Sequence, residues 1–143
     1  MRNLEHKESV ALIKWRNLQL GKYPELASLI HIPNGGLRNI RVAQKLKAEG
    51  TRAGVSDYLL PVAQETLMYR HIVVKYHGLW IELKAGKNKP TDDQYEWLYM
   101  MRDQGYAADW CVGWFEASER IMAYLSCQAY ENRPLKNRAK LIL

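Results

Sequence analysis

Asp57, with Glu82 and Lys84 well downstream of it, supplies the first of two carboxylates and an amine. These are the minimal parts for metal-assisted hydrolysis of a phosphodiester. A hard divalent cation such as Mg²⁺ prefers carboxylate oxygen and keeps several waters. It polarises the scissile phosphate, lowers the pKa of a bound water and neutralises charge on the departing oxygen. A nearby amine can orient the attacking water and stabilise the growing negative charge. Period-two alternation over residues 79–84 sets Leu79, Ile81 and Leu83 on one face of a strand, and Trp80, Glu82 and Lys84 on the other. Asp57 opens another predicted strand, from whose end a carboxylate can project past the sheet edge. The backbone carbonyl of Leu83 is a further candidate ligand. Glu-x-Lys alone equally describes an exposed strand pair. Its setting in an apolar strand, after a Gly54-Val55-Ser56-Asp57 turn in a basic chain, favours the site.

The elements that must position these groups follow from periodicity. Residues 4–20 carry apolar positions at helical spacing, with Glu5 and Glu8 as neighbours near one edge. Residues 28–32 read as a short strand and Pro33-Asn34-Gly35-Gly36 as a turn. Residues 37–49 form a second, shorter helix closed by Gly50. Strands are expected over 58–63, with Pro61 pushing that strand toward an edge or bulge, and over 72–76 and 79–84. A helix follows over 91–104, where Thr91 and Gln94 have capping-box spacing. Residues 110–115 are apolar on both faces and predict a central strand, before a helix over 116–128. The order gives an α/β domain with a central mixed β-sheet flanked by α-helices.

The chain has 143 residues, enough for one domain with a real core, and 21 Lys+Arg against 15 Asp+Glu give a net charge of +6. We read residues 1–143 as a single domain, with a core over about 4–128 and a basic tail over 131–143. No apolar run has the roughly 20 residues of a membrane span, and the polar N-terminus does not read as a signal peptide. Cys111 and Cys127 match no zinc spacing and suggest a reducing, cytoplasmic setting. A basic chain invites a polyanionic partner. Candidate phosphate contacts are Arg38, Arg41, Lys45, Lys47 and Arg52 around the second helix, Lys87 and Lys89 after the strand, and the C-terminal cluster.

The ordered set His31-Ile32-Pro33-Asn34-Gly35-Gly36, Gly50, Gly54-Val55-Ser56-Asp57, His77-Gly78-Leu79-Trp80-Ile81-Glu82-Leu83-Lys84, Gln94 and Gly105-Tyr106 resembles the virus-type replication-repair nuclease (VRR-NUC) family of the PD-(D/E)xK superfamily. The resemblance runs from about Glu5 to Leu125. It implies a restriction-endonuclease-like core and DNA cleavage dependent on Mg²⁺ or Mn²⁺. Asp57 and Glu82 match the family's metal-binding carboxylates, and Lys84 its catalytic lysine. Glu5 matches the acid on the first helix that helps hold the metal, with Glu8 as the fallback, and Gln94 matches a glutamine on the helix after the catalytic strand. His31 and Asn34 fall in the turn expected to line the DNA cleft. Stand-alone members resemble Holliday-junction resolvases, which implies branched DNA, a homodimer, no nucleotide cofactor and a bacterial or phage source. The chain departs from the family pattern at Ser56, Tyr58 and Ser9, where proline, an aliphatic residue and glutamine are usual. A catalytically silent DNA-binding or assembly factor, or a nuclease subunit targeted by a partner, are the alternatives.

Overall fold

The computed structural model describes residues 2–33, 39–126 and 130–143. The expected contacts Asn34 and Arg38, the start of the second predicted helix and the end of the last lie outside the described residues. At the centre is strand β5, Leu79–Lys84, buried at all six positions. Strand β2, Tyr58–Leu60, pairs antiparallel with it on one side. Strand β6, Ala107–Val112, pairs parallel on the other. Strand β1, Ile30–His31, adds antiparallel to β2, so the mixed sheet runs β1-β2-β5-β6. Helices α1, Arg2–Gln19, and α4, Gly113–Leu125, cover one face. There Leu12, Ala117, Ile121 and Tyr124 pack on Leu79, Ile81 and Leu83. Helix α3, Asp92–Asp103, covers the other through Leu98 on Trp80 and Ala108. Each fully buried aliphatic contributes about 1.5–3 kcal/mol. Helix α3 is also the crossover that a parallel β5–β6 pair requires. No helix among the described residues is long and apolar enough to cross a membrane.

Several expectations are corrected. The strand expected at 110–115 begins at Ala107 and ends at Val112, because Gly113 takes φ 84° and turns the chain directly into α4. That strand is an edge of the sheet rather than its centre. It is apolar on both faces because helices cover both, and the C-terminal segment covers its open side. Asn132 accepts from the Ala108 amide at 2.9 Å, and the Arg133 amide donates to Asp109 at 2.8 Å. The expected strand at 72–76 is β4, His71–Tyr76, but it leaves the main sheet and pairs with β3, Gln64–Met68, as a separate two-stranded ribbon. Helix α2, Ile40–Ala48, is capped by Asn39 and buries no residue. A single-turn 3-10 helix, Pro24–Ser28, was not foreseen.

The tail is tied down by one buried acid. Asp109 is fully buried and accepts from Arg102 at 3.0 Å, from Arg120 at 2.7 Å and from the Tyr130 hydroxyl. Two cations and a phenol thus neutralise one carboxylate and join α3, α4 and the tail. Removing one member of a buried charge set leaves the others unpaired, which costs about 3–5 kcal/mol. Asp109→Ala is therefore expected to destabilise the fold by about that amount in denaturant titrations; a loss under about 1 kcal/mol would show the network to be dispensable.

Candidate active site

Antiparallel pairing of β2 with β5 sets Tyr58 opposite Ile81 and Leu59 opposite Trp80. One step further in the same register, Asp57 falls opposite Glu82. Opposed residues of an antiparallel pair direct their side chains to the same face. Both ends of Asp57 are fixed. Its Oδ2 accepts from the Leu83 amide at 2.8 Å, and its backbone carbonyl accepts from the Ile32 amide at 2.7 Å. Glu82 is 1% exposed. Its Oε1 lies 3.2 Å from Lys84 Nζ, and its Oε2 is buried with no hydrogen-bond partner. Lys84 is itself buried.

Burial, and then the charge on Asp57, push the Glu82 carboxyl well above its usual range; Lys84 opposes the shift and Glu5 adds to it. The Asp57 carboxyl is also raised, chiefly by burial. The Leu83 amide, Lys84 and His31 oppose that shift and Glu5 reinforces it. Two acids on one face, with a third in electrostatic reach, are thus set against one buried amine.

The two first-helix acids separate. Glu5, in the first turn of α1, acts on both Asp57 and Glu82. Glu8 reaches the other way. Its Oε2 accepts from the Trp114 amide at 2.6 Å and caps α4, whose N-cap residue Val112 has no side-chain cap of its own. The fallback acid is therefore a helix cap. Gln94 completes the capping box of α3, accepting from the Thr91 amide at 2.8 Å.

The expected phosphate contacts divide as well. Arg41, Lys45 and Lys47 are exposed on α2, and Lys87 and Lys89 are exposed in the loop leaving β5. Arg52 lies over the Trp97 ring, 5.7 Å from its centroid. The tail cations are engaged instead within the protein. Arg133 pairs with Glu116, Lys136 with Asp92 at 2.7 Å, and Arg138 with both Glu96 and Asp103 at 2.7 Å. His31 packs on Tyr58 at 5.1 Å and opens onto a groove of about 460 Å³ beside α1, where His6 and Lys14 join it over Val10 and Ile13. The sequence signal for this groove is the i, i+4, i+8 spacing of His6, Val10 and Lys14, which is one helix face.

Among the described residues, no three acidic, histidine or cysteine side chains are grouped closely enough to enclose a metal ion. Two opposed carboxylates do meet, one with a buried oxygen that nothing satisfies. That donor set fits a hard cation which retains several waters, and it offers no nitrogen or sulfur for a softer metal.

The raised carboxyls fix the sign of a pH effect. A carboxyl whose pKa is higher folded than unfolded favours the fold most when protonated, below its unfolded value. That contribution is lost as pH rises through the folded pKa. In metal-free buffer the protein should therefore lose stability on going from acid toward neutral pH, and Glu82→Gln should melt a few degrees higher than the wild type at neutral pH. Added Mn²⁺ should raise the wild-type melting temperature and leave that of Glu82→Gln unmoved. A variant that melts lower in metal-free buffer would contradict this charge balance.

No family model and no curated protein matches the chain. Among solved structures, one described as "VRR_NUC domain protein" superposes on it with a TM-score of 0.68 at 24% identity, covering 90% of this chain and 93% of that chain. The likeness extends over most of both chains, so the protein has the restriction-endonuclease-like fold of a VRR_NUC domain protein.

Proposed function

We propose that the protein is a divalent-metal-dependent endonuclease that hydrolyses phosphodiester bonds in DNA, preferring branched DNA such as a Holliday junction and working as a homodimer. The observation that carries this reading is the pair of opposed carboxylates: Glu82 presents a buried, unsatisfied oxygen on the face that Asp57 shares. Mg²⁺ or Mn²⁺ would be held by Asp57, Glu82 and the Leu83 carbonyl, with Glu5 close enough to add charge. The bound cation would polarise the phosphate and acidify a water. Lys84, leaning on Glu82, is placed to orient that water and to stabilise the charge that develops on the phosphate. Burial of the amine excludes competing solvent and strengthens its field. Around this end of the sheet, Arg41, Lys45, Arg52, Lys87 and Lys89 supply phosphate contacts, and the groove under His31 can receive the strand that leads to the cut. The preference for branched DNA rests on the family resemblance. Paired incision needs two sites, which a two-fold dimer supplies.

The test uses labelled four-way junction and linear duplex with Mg²⁺, Mn²⁺ or a chelator. Asp57→Asn and Lys84→Ala are expected to lower the nicking rate at least about 10²-fold while junction binding persists. Glu5→Gln should slow nicking. Glu8→Ala should instead lower the melting temperature, by the loss of a cap worth about 1 kcal/mol, and leave the rate per folded molecule unchanged. Cutting by Asp57→Asn at the wild-type rate would overturn the site. Binding without cutting in either metal would make the protein a silent DNA-binding factor.

A further inference from the structure

The ribbon of β3 and β4 has no role in the site described, and its chemistry is unusual for an exposed element. The two strands pair only with each other among the described residues. The register sets Leu67 opposite Ile72 and Glu65 opposite Val74, so these four share one face. Leu67 is 73% exposed and Ile72 71%, and Val74 is exposed beside them. A lone two-stranded ribbon is marginal in water, and its free edges invite pairing with another chain. Its base is nonetheless held firmly. Gln64 donates to the Tyr124 carbonyl at 2.8 Å, and the Tyr76 hydroxyl to the Tyr130 carbonyl at 3.4 Å.

The tip carries a second signal. Tyr69 and Arg70 form the turn with φ 49° and φ 67°. Such a turn matches ribbon twist but is normally built from Asn-Gly, because other residues with positive φ cost about 1–2 kcal/mol each. Tyr69 is nevertheless 90% exposed. Large side chains held at a conformational cost in full solvent point to a contact made elsewhere.

Direction argues against DNA as that contact. Strand β2 runs from Asp57 toward Leu60, and β5 returns from Leu79 toward Lys84. The ribbon lies between Leu60 and Leu79 in the chain, so it leaves the sheet at the end opposite the carboxylates. Charge argues for a second copy. Glu65 sits near the base of the ribbon and Arg70 at its tip. A two-fold axis that lays two ribbons antiparallel sets each Arg70 against the other copy's Glu65, and closes Leu67, Ile72 and Val74 between them.

We propose that the β3–β4 ribbon is the arm by which two copies of this chain join, apolar face to apolar face, with the two carboxylate sites at the far ends. This deepens the dimer part of the proposed function, and it is tested by mass, with no cleavage needed. In sedimentation equilibrium at micromolar concentrations the wild type should behave as twice its 16.7 kDa chain. Leu67→Asp with Ile72→Asp, both at exposed positions, should give the single-chain mass with an unchanged far-ultraviolet spectrum. Glu65→Arg or Arg70→Glu alone should weaken self-association at least about tenfold by setting like charges together, and the double exchange should restore it. A wild type of single-chain mass would overturn the proposal. So would a dimer that survives the aspartates, or a double exchange no better than either single one. If the dimer is lost as expected but the wild type fails to cut junction DNA in any metal, the arm stands and the nuclease reading falls.

Discussion

A carboxylate oxygen sealed from water without a partner is among the more expensive things a protein can contain. Glu82 is tolerated because β5 holds it between two unequal neighbours, Asp57 across the strand pair and Lys84 two residues along. The arrangement depends on every layer of the fold. α1 and α4 seal one face of β5 and α3 the other, so the strand is dry along its length. β2 must end where it does for Asp57 to face Glu82 across the register, and the Ile32 and Leu83 amides must hold Asp57 there. A one-residue slip of that register would turn Asp57 to the opposite face. The α1–α4 contact is held in turn by Glu8 on the Trp114 amide.

A second buried acid shows what a purely structural solution looks like in the same molecule. Asp109 has two guanidinium groups, a phenol and a backbone amide around it, and both its oxygens are satisfied. Its charge is more than matched, and the excess is relieved because both arginines remain partly exposed. Glu82 and Asp57 have one lysine between them, and Glu5 adds further negative charge. Acid pKa values raised by burial together with a specific like charge cluster at functional sites. The contrast within one sheet is between an acid whose charge is matched and a pair of acids whose charge is not. Where the fold needs an acid only for structure, it neutralises it.

Much of this was legible in advance where local rules govern. The alternation of residues 79–84 gave β5 to the residue, because a strand with large apolar side chains on one face leaves little freedom. Thr91 and Gln94 declared the start of α3, since a capping box is a purely local device. The pairing of Asp57 with Glu82 was anticipated from the family-like motifs, whereas the opposed register is a tertiary fact. Two readings failed for one shared reason: the deciding partner is remote in sequence. Trp110 predicted a central strand, yet β6 is an edge covered by residues 130–133. Residues 72–74 are β-branched like those of any sheet strand, and nothing local says that their partner is β3 alone.

The charge of the molecule needs the same distinction between composition and placement. A net charge of +6 spread evenly would attract any polyanion weakly and without orientation. The basic tail contributes little to that attraction, because Arg133, Lys136 and Arg138 are drawn onto Glu116, Asp92, Glu96 and Asp103. Two of these pairs neutralise acids in the first turns of α3 and α4, Asp92 and Glu116, which follow the carboxylate ends of β5 and β6. Exposed cations remain on α2, at Arg52 before β2, at Lys87 and Lys89 after β5, and at Lys14 beside His31. Several of these flank the strand ends at which Asp57, Glu82 and Lys84 lie. The tail's pairing therefore concentrates the attractive field where a phosphate would have to approach acids that, without positive charge around them, would repel it.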